Sequence, residues 1–260
     1  MLYDAHNHLQ AEKLAPHLVE IEQQLERIGL EKAVVNGTKE SNWARVAALA
    51  EVHKWVIPSF GLHPWFLNDR TREWRDRLTR LVETTPRAVV GEIGLDRAAG
   101  LADLEDQKAI FLWQLELAAR LNVPASIHCV KAWGALWDIL RVEPVPDCGF
   151  LLHGYAGPVE MVEPFAKRGA YFSFCGSYLH EAKTARQDIF RAIPKDRLLV
   201  ETDAPDMPLP PERVIYPIPG LNHPANIQAV YDGLAEVRGL PLHTLSAQVA
   251  RNFQRLFGNR

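Results

Sequence analysis

Short apolar runs recur along this chain, separated by longer stretches in which apolar residues return every three or four positions. The runs are LYDAH, KAVVNG, VIPSFG, AVVGEIG, PASIHC, GFLLHG, YFSFCG and LLVETDA, eight in all between residues 2 and 204. Most are continuously apolar, as strands covered on both faces are. The stretches between them carry the helical period. In DLEDQKAIFLWQLELAARLNV, Leu104, Phe111, Leu115 and Ala118 share one face. Asp103 stands where an N-cap belongs, and Pro124 lies beyond the end. EIEQQLERIGL and GPVEMVEPFAKRGA also read as helices, the second with Gly169 near its C-terminus. Strand and helix alternating eight times predicts an α/β fold, a (β/α)8 TIM barrel. The alternative is a doubly wound open sheet, which usually has fewer strands. It would also carry a glycine-rich phosphate loop after an early strand, and this sequence has none.

The last run is followed by APDMPLPPERVIYPIPGLNHP, with seven prolines. A stretch of that length inside a compact fold is usually functional, and its prolines predict an ordered loop laid over something. From Ala225 to Phe257 two helices are predicted, separated near Gly239-Leu240-Pro241, so the barrel gains an extra C-terminal helix. No repeat or linker divides the chain, which reads as one domain over residues 1–260.

Composition narrows the function. Hydrophobic residues make up 47% of the chain, enough for a large core. A formal net charge of −3 excludes a broadly basic coat for duplex nucleic acid, but leaves room for a pocket that takes one phosphate or one strand end. The three cysteines are odd in number and lack a CxxC spacing, which fits a reducing compartment. No signal sequence or membrane-length apolar run is present, and a cytoplasmic location is expected.

The chemistry gathers at the ends of the apolar runs. His6 and His8, one residue apart in an extended segment, point the same way, into the mouth where barrel active sites form. An HxH pair alone is a weak signal. Yet GEIGLD brings Glu92, PASIHC brings His128, GFLLHG brings His153, and LLVETDA brings Glu201 and Asp203. Titratable groups at the ends of buried strands need partners. Independent salt bridges would require a separate coincidence at each strand end; a shared metal site requires one. Six candidates (His6, His8, Glu92, His128, His153 and Asp203) are too many for one tetrahedral ion and suit two divalent ions bridged by Glu92. Mixed imidazole and carboxylate donors accept Mg, Mn or Zn, as well as Fe or Co.

Taken together and in order, DAHNHL, GLHPW, GEIGLD, DLEDQKAIF, PASIH, LLHGYAG, LLVETDAP, NHPANI and ARNFQRLFG resemble the TatD-type metal-dependent deoxyribonucleases, part of the wider barrel metal-dependent hydrolases. The resemblance covers nearly the whole chain. It implies hydrolysis of phosphodiester bonds, often 3′–5′ on single-stranded DNA, with a DNA strand end as substrate. It implies one ion near His6, His8, Glu92 and Asp203, and a second near Glu92, His128 and His153. Asp203 would also take the proton of the attacking water, and His63 of GLHP would contact the phosphate. Two positions depart from the family. Where it commonly has an arginine, two residues after His128, this chain has Val130, with Lys131 next as the substitute phosphate contact. Tyr155, Ala156 and Gly157 keep the shape of the family's phenylalanine-serine-glycine turn but lose the hydroxyl.

Glu201, on the same face as Asp203, is expected to hold a histidine ligand from behind. Asp96 is placed in the loop after Glu92, with a turn-capping role competing with a site role. Trp43 and Trp65 follow the second and third runs and could offer stacking faces to a base. Trp113, Trp133 and Trp137 fall at helical spacings and read as packing residues. His17, His53, His180, His223 and His243 read as solvated or capping. A barrel hydrolase of small amides, esters or lactones, or a TatD-like subunit acting only within a larger complex, are the competing functions.

Overall fold

The computed structural model describes residues 1–98 and 103–258. Its eight long strands match the eight apolar runs: β1 (Leu2–Asn7), β2 (Leu30–Asn36), β3 (Val56–Phe60), β4 (Val89–Asp96), β5 (Ala125–Val130), β6 (Phe150–Leu152), β7 (Ala170–Cys175) and β8 (Leu198–Glu201). They pair in sequence order, each parallel to the next. Helices α1 (Leu18–Arg27), α2 (Glu40–Val52), α3 (Trp74–Thr84), α4 (Leu104–Leu121), α5 (Trp133–Leu140), α6 (Val162–Lys167) and α7 (Thr184–Ala192) make the crossovers. Then come α8 (Ile227–Arg238) and the extra helix α9 (Leu242–Phe257). The fold is therefore the predicted TIM barrel, with all catalytic-end loops following the C-terminal ends of its strands.

The helices form where the pattern places them. Asp103 caps α4 by accepting from the backbone N–H of Glu105 at 3.0 Å, and Asn122, left-handed at φ 49°, ends it. Ile110, Phe111, Leu115 and Ala118 are buried on its inner face. Two polar residues share that face. The Gln107 amide donates to the carbonyl of Asp96 and accepts from its N–H, at 2.9 and 2.8 Å. Gln114 does the same for Leu62, at 3.2 and 2.7 Å. Helix α4 thus clamps the upper ends of the third and fourth barrel segments beside His63 and Asp96.

The seam between β1 and β8 is closed differently. His8 N–H donates to Ala204 O at 2.7 Å and Asp203 N–H to His6 O at 3.0 Å. Below them the buried Asp4 carboxylate accepts from Thr202 N–H (3.1 Å), Thr202 Oγ (2.6 Å), His6 N–H (3.2 Å) and Asn7 Nδ2 (3.0 Å). Burial raises this carboxyl to about 6. At the opposite end Tyr231 accepts from Tyr3 N–H and donates to Tyr3 O, both at 3.1 Å, so α8 locks the start of β1. Asn252 of α9 donates to the carbonyls of Lys195 and Leu198, both at 2.8 Å, and fixes the start of β8.

The proline-rich segment is an ordered strap, as expected, and carries a small antiparallel hairpin, β9 (Pro217–Ile218) and β10 (Leu221–Asn222), that the sequence pattern does not show. Asn226 accepts from the N–H groups of Ile215 and Tyr216 at 3.0 and 2.8 Å, while Asn222 Nδ2 donates to Thr202 O at 2.9 Å. His223 is a cap here, Nδ1 accepting from Ala225 N–H at 2.9 Å, and it is only 2% exposed rather than solvated. Its Nε2 finds no hydrogen-bond partner among the described residues, and burial lowers its pKa to about 4. The unfolded imidazole protonates near 6.5, so the unfolded chain takes up this proton first as pH falls. The contribution is complete above that pH and is lost on the way down to about 4. It amounts to up to about 2 kcal/mol once partial solvent screening is allowed for. His223→Asn keeps an acceptor for Ala225 and removes the titration. Between pH 7.5 and 4.5 its urea midpoint should fall less than the wild type's; equal falls would refute the titration.

Candidate metal centre

Every titratable residue picked out at a strand end reaches the barrel mouth. β1 delivers His6, β4 delivers Glu92 and Asp96, β5 delivers His128, and His8, His63, His153 and Asp203 lie within three residues past the ends of β1, β3, β6 and β8. Glu92 lies at the centre, 3% exposed. Its Oε2 lies 3.5 Å from His6 Nε2 and 3.3 Å from His8 Nε2. Its Oε1 lies 2.9 Å from His153 Nε2, 3.1 Å from His128 Nδ1 and 3.3 Å from His63 Nε2. Asp203 Oδ1 completes the first side, 3.5 Å from His8 and 3.7 Å from His6. His6 and His153 stack in parallel, ring centroids 3.9 Å apart. Gly94 makes this packing possible: its φ is 149°, and a Cβ there would stand 2.0 Å from His128 O. A side chain at that position would push β4 away from β5 and separate Glu92 from His128.

The outer nitrogens decide what the inner ones can do. His8 Nδ1 lies 2.8 Å from Asn36 O, which only accepts, so Nδ1 carries the hydrogen and Nε2 presents a lone pair. His6 Nδ1 pairs with Ser126 Oγ at 2.9 Å, and His153 Nδ1 faces Glu201 Oε1 at 3.6 Å. His128 is turned over: Nε2 donates to Asp96 Oδ2 at 3.1 Å, leaving Nδ1 inward. Four imidazole lone pairs and two carboxylates therefore converge. His6 Nε2 and His8 Nε2 are 3.4 Å apart, and His128 Nδ1 and His153 Nε2 3.3 Å. Lone pairs at such spacing repel unless a cation lies among them, and the donor set fits divalent metal.

Among the described residues three groupings could hold an ion: His6 with His8 and Asp203, His6 with Glu92 and His153, and His63 with Glu92 and His128. His63 is the exception by chemistry. Its Nδ1 accepts from Trp65 N–H at 3.2 Å, so the neutral ring carries its hydrogen on Nε2 and faces the site as a donor. Distance alone admits it as a ligand; its tautomer makes it a hydrogen-bond donor to an anionic oxygen.

Electrostatics agree with a cation-binding nest. Burial disfavours charge on Glu92, but His63, His153 and His6 outweigh it and hold the carboxyl well below the usual range. Burial lowers His6 to about 3 and His63 to about 4, so both are neutral at physiological pH. His8 and His153 go the other way: burial is outweighed by Asp203 and Glu92 at His8, and by Glu92 and Glu201 at His153. Without metal, protons fill the role of the cation. Burial raises Glu201 to about 7.

Two expectations change. Asp96 is not in a loop: β4 continues through it, paired with Val130, and its carboxylate accepts from His128 Nε2, from Trp65 Nε1 at 2.7 Å and from Ala98 N–H at 2.8 Å. It both caps the turn and holds His128. Trp43 offers no stacking face; it is buried, with Nε1 donating to Gly61 O at 3.0 Å. Lys131, offered as a phosphate contact, is exposed and left-handed at φ 53°, just past the C-terminal end of β5. Sequence reasoning also missed Gln107, Gln114, Ser126 and Ser173, whose hydroxyl donates to Glu201 Oε2. Ser126 lies two residues before His128 in its strand, a spacing that marks the same face.

The family model described as TatD related DNase matches residues 3–258. The chain belongs to the TatD family. This TatD protein is 31% identical over 237 residues to the metal-dependent hydrolase YjjV of Escherichia coli, covering 90% of this chain and 89% of that one. The crystal structure of YjjV superposes with a TM-score of 0.90, covering 100% and 98% of the two chains. YabD of Bacillus subtilis, also named a metal-dependent hydrolase, is 28% identical over 99% of both chains. The protein named 3′-5′ ssDNA/RNA exonuclease TatD in Enterobacter lignolyticus is 30% identical over 88% of both. This TatD protein is accordingly a metal-dependent hydrolase, and no helix among its described residues is long and apolar enough to cross a membrane.

Proposed function

We propose that this TatD protein is a cytoplasmic two-metal phosphodiesterase that shortens single-stranded DNA from its 3′ end. The observation that carries the reading is the division of Glu92: one oxygen faces His6 and His8, the other His128 and His153. That division supports the two-ion reading, in which His6, His8 and Asp203 would hold one ion, His128 and His153 would hold the other, and Glu92 would serve both. Relatives named as 3′-5′ ssDNA/RNA exonucleases support the substrate. Bound there, divalent ions (Mg, Mn or Zn) would supply a water of lowered pKa and neutralise phosphate charge.

The remaining work falls to the chain. Asp203 accepts the proton of the attacking water; its side chain is 15% exposed, against 3% for Glu92, so water reaches it. His63 donates from Nε2 to a non-bridging phosphate oxygen. Asp96, hydrogen-bonded to His128 Nε2, fixes the tautomer and orientation of that ring, while Glu201, held by Ser173, sets a carboxylate 3.6 Å behind His153 Nδ1. Lys131 adds a positive charge at the rim, as a point charge and not a bidentate fork. The second reading, a hydrolase of small esters or amides, is favoured by Val130 and Ala156, where an arginine and a hydroxyl would otherwise meet a phosphate.

End-labelled single-stranded DNA incubated with the protein in Mg²⁺ or Mn²⁺ tests this. Stepwise loss of 3′ nucleotides, abolished by a chelator and by His128→Ala, is expected. Metal-loaded protein that leaves the strand intact and hydrolyses a small ester would overturn it in favour of the second reading.

A further inference from the structure

Trp65 is more than half exposed, at 57%, and is the one aromatic among the exposed large apolar side chains of the described residues. Exposure of that kind usually leaves an indole free to move. This one is anchored: Nε1 donates to Asp96 Oδ2 at 2.7 Å, and its backbone N–H donates to His63. The same Asp96 oxygen accepts from His128, so one carboxylate fixes both the indole and a ring of the metal centre. The indole stands edge-on to His63, centroids 5.1 Å apart at 89°, and to His128 at 6.3 Å and 74°. Among the described residues no ring stacks parallel to it and no cation lies over it. A flat apolar face is thus held rigid and bare, one side chain away from the groups that face the scissile bond.

An indole that only braced Asp96 would gain by being buried. A preorganised bare face next to a reaction centre is instead what a planar ligand group needs, because the ordering cost is met before binding. We infer that Trp65 is the stacking platform for the nucleobase beside the scissile phosphate, and that this enzyme selects phosphodiesters carrying a planar group at that position. The inference rests on the phosphodiesterase reading and adds a specificity that the metal centre alone does not have.

The test compares two substrates on the metal-loaded protein: a single-stranded oligonucleotide ending in thymidine, and the same strand ending in an abasic tetrahydrofuran nucleotide. Base–aromatic stacking predicts a kcat/KM preference of roughly 5- to 150-fold for the first. In Trp65→Leu the preference collapses toward one; in Trp65→Phe, which keeps a ring and loses the Nε1–H, most of it remains. A bracing role alone predicts equal losses on both strands and an unchanged ratio, and that result overturns the inference. If wild type cuts neither strand, the phosphodiesterase reading fails by itself, and a readout without turnover still decides the platform. Thymidine 5′-monophosphate should quench tryptophan fluorescence that deoxyribose 5-phosphate does not, and Trp65→Leu should abolish that quench. Equal quenching by both ligands, or none, overturns the platform.

Discussion

Replacing Glu92 by glutamine is expected to lower kcat/KM by about 10³-fold or more and to remove most of the bound metal, while the barrel still folds. Outer partners of metal ligands already cost about 10- to 100-fold in affinity or activity when removed. Glu92 is an inner donor placed against two sets of imidazoles at once, with contacts from 2.9 to 3.5 Å. Glutamine fits the same space but carries no charge. One of its two oxygens becomes an NH₂ group, so whichever way the amide turns, one set of nitrogens faces hydrogens. The charge matters as much as the geometry, because Glu92, itself 3% exposed, would neutralise cations in a largely buried site. Metal content per chain, measured by atomic emission after gel filtration, and initial rates at pH 7.5 check this together. A variant with full metal content and near wild-type rate would refute the bridging role.

The barrel was legible because parallel strands buried on both faces leave continuous apolar runs, and the eight runs all became strands. The metal cluster was legible for a related reason. His6, Glu92, His128 and Asp203 interrupt or end apolar stretches at one repeated place, where an unpaired polar group is costly. What stayed hidden was whatever depends on side-chain partners across the fold. Asp96 looks like a loop residue because GLD breaks the apolar run, yet β4 continues to pair through Leu95 and Asp96. Trp43 and Trp65 occupy equivalent places after their strands. One turns its indole inward to Gly61 O and the other outward to Asp96, and no periodicity distinguishes them. Gln107 and Gln114 sit on the apolar face of α4, where a helical pattern reads them as imperfections. They are clamps on backbone groups 11 and 52 residues away respectively, contacts that only tertiary structure creates.

Asp203→Asn is expected to lower kcat by about 10²- to 10⁴-fold, the usual contribution of a positioned general base, with stability unchanged within about 1 kcal/mol. The choice of asparagine follows from the backbone. Asp203 sits in the left-handed region at φ 53°, which asparagine tolerates and alanine does not without about 1 kcal/mol of strain. Asparagine also keeps an oxygen near His6 and His8, so the first ion retains a donor. Only the capacity to take a proton is lost. Burial disfavours the Asp203 charge, but the hydrogen bond from His8 and the neighbouring imidazoles outweigh it, so its pKa lies below the ordinary carboxylate range. Asp203 is therefore ionised and ready to accept throughout neutral pH, and the acid limb that it contributes to kcat lies on the acid side of an ordinary carboxylate. In Asp203→Asn that limb disappears along with most of the rate. Metal content separates the two roles of the residue. A rate loss with metal retained identifies the base, whereas a loss in strict proportion to missing metal reduces Asp203 to a ligand and returns the question of where the water's proton goes. Glu201 does not answer it: its side chain is fully buried, held by Ser173 and turned toward His153, so no attacking water reaches it.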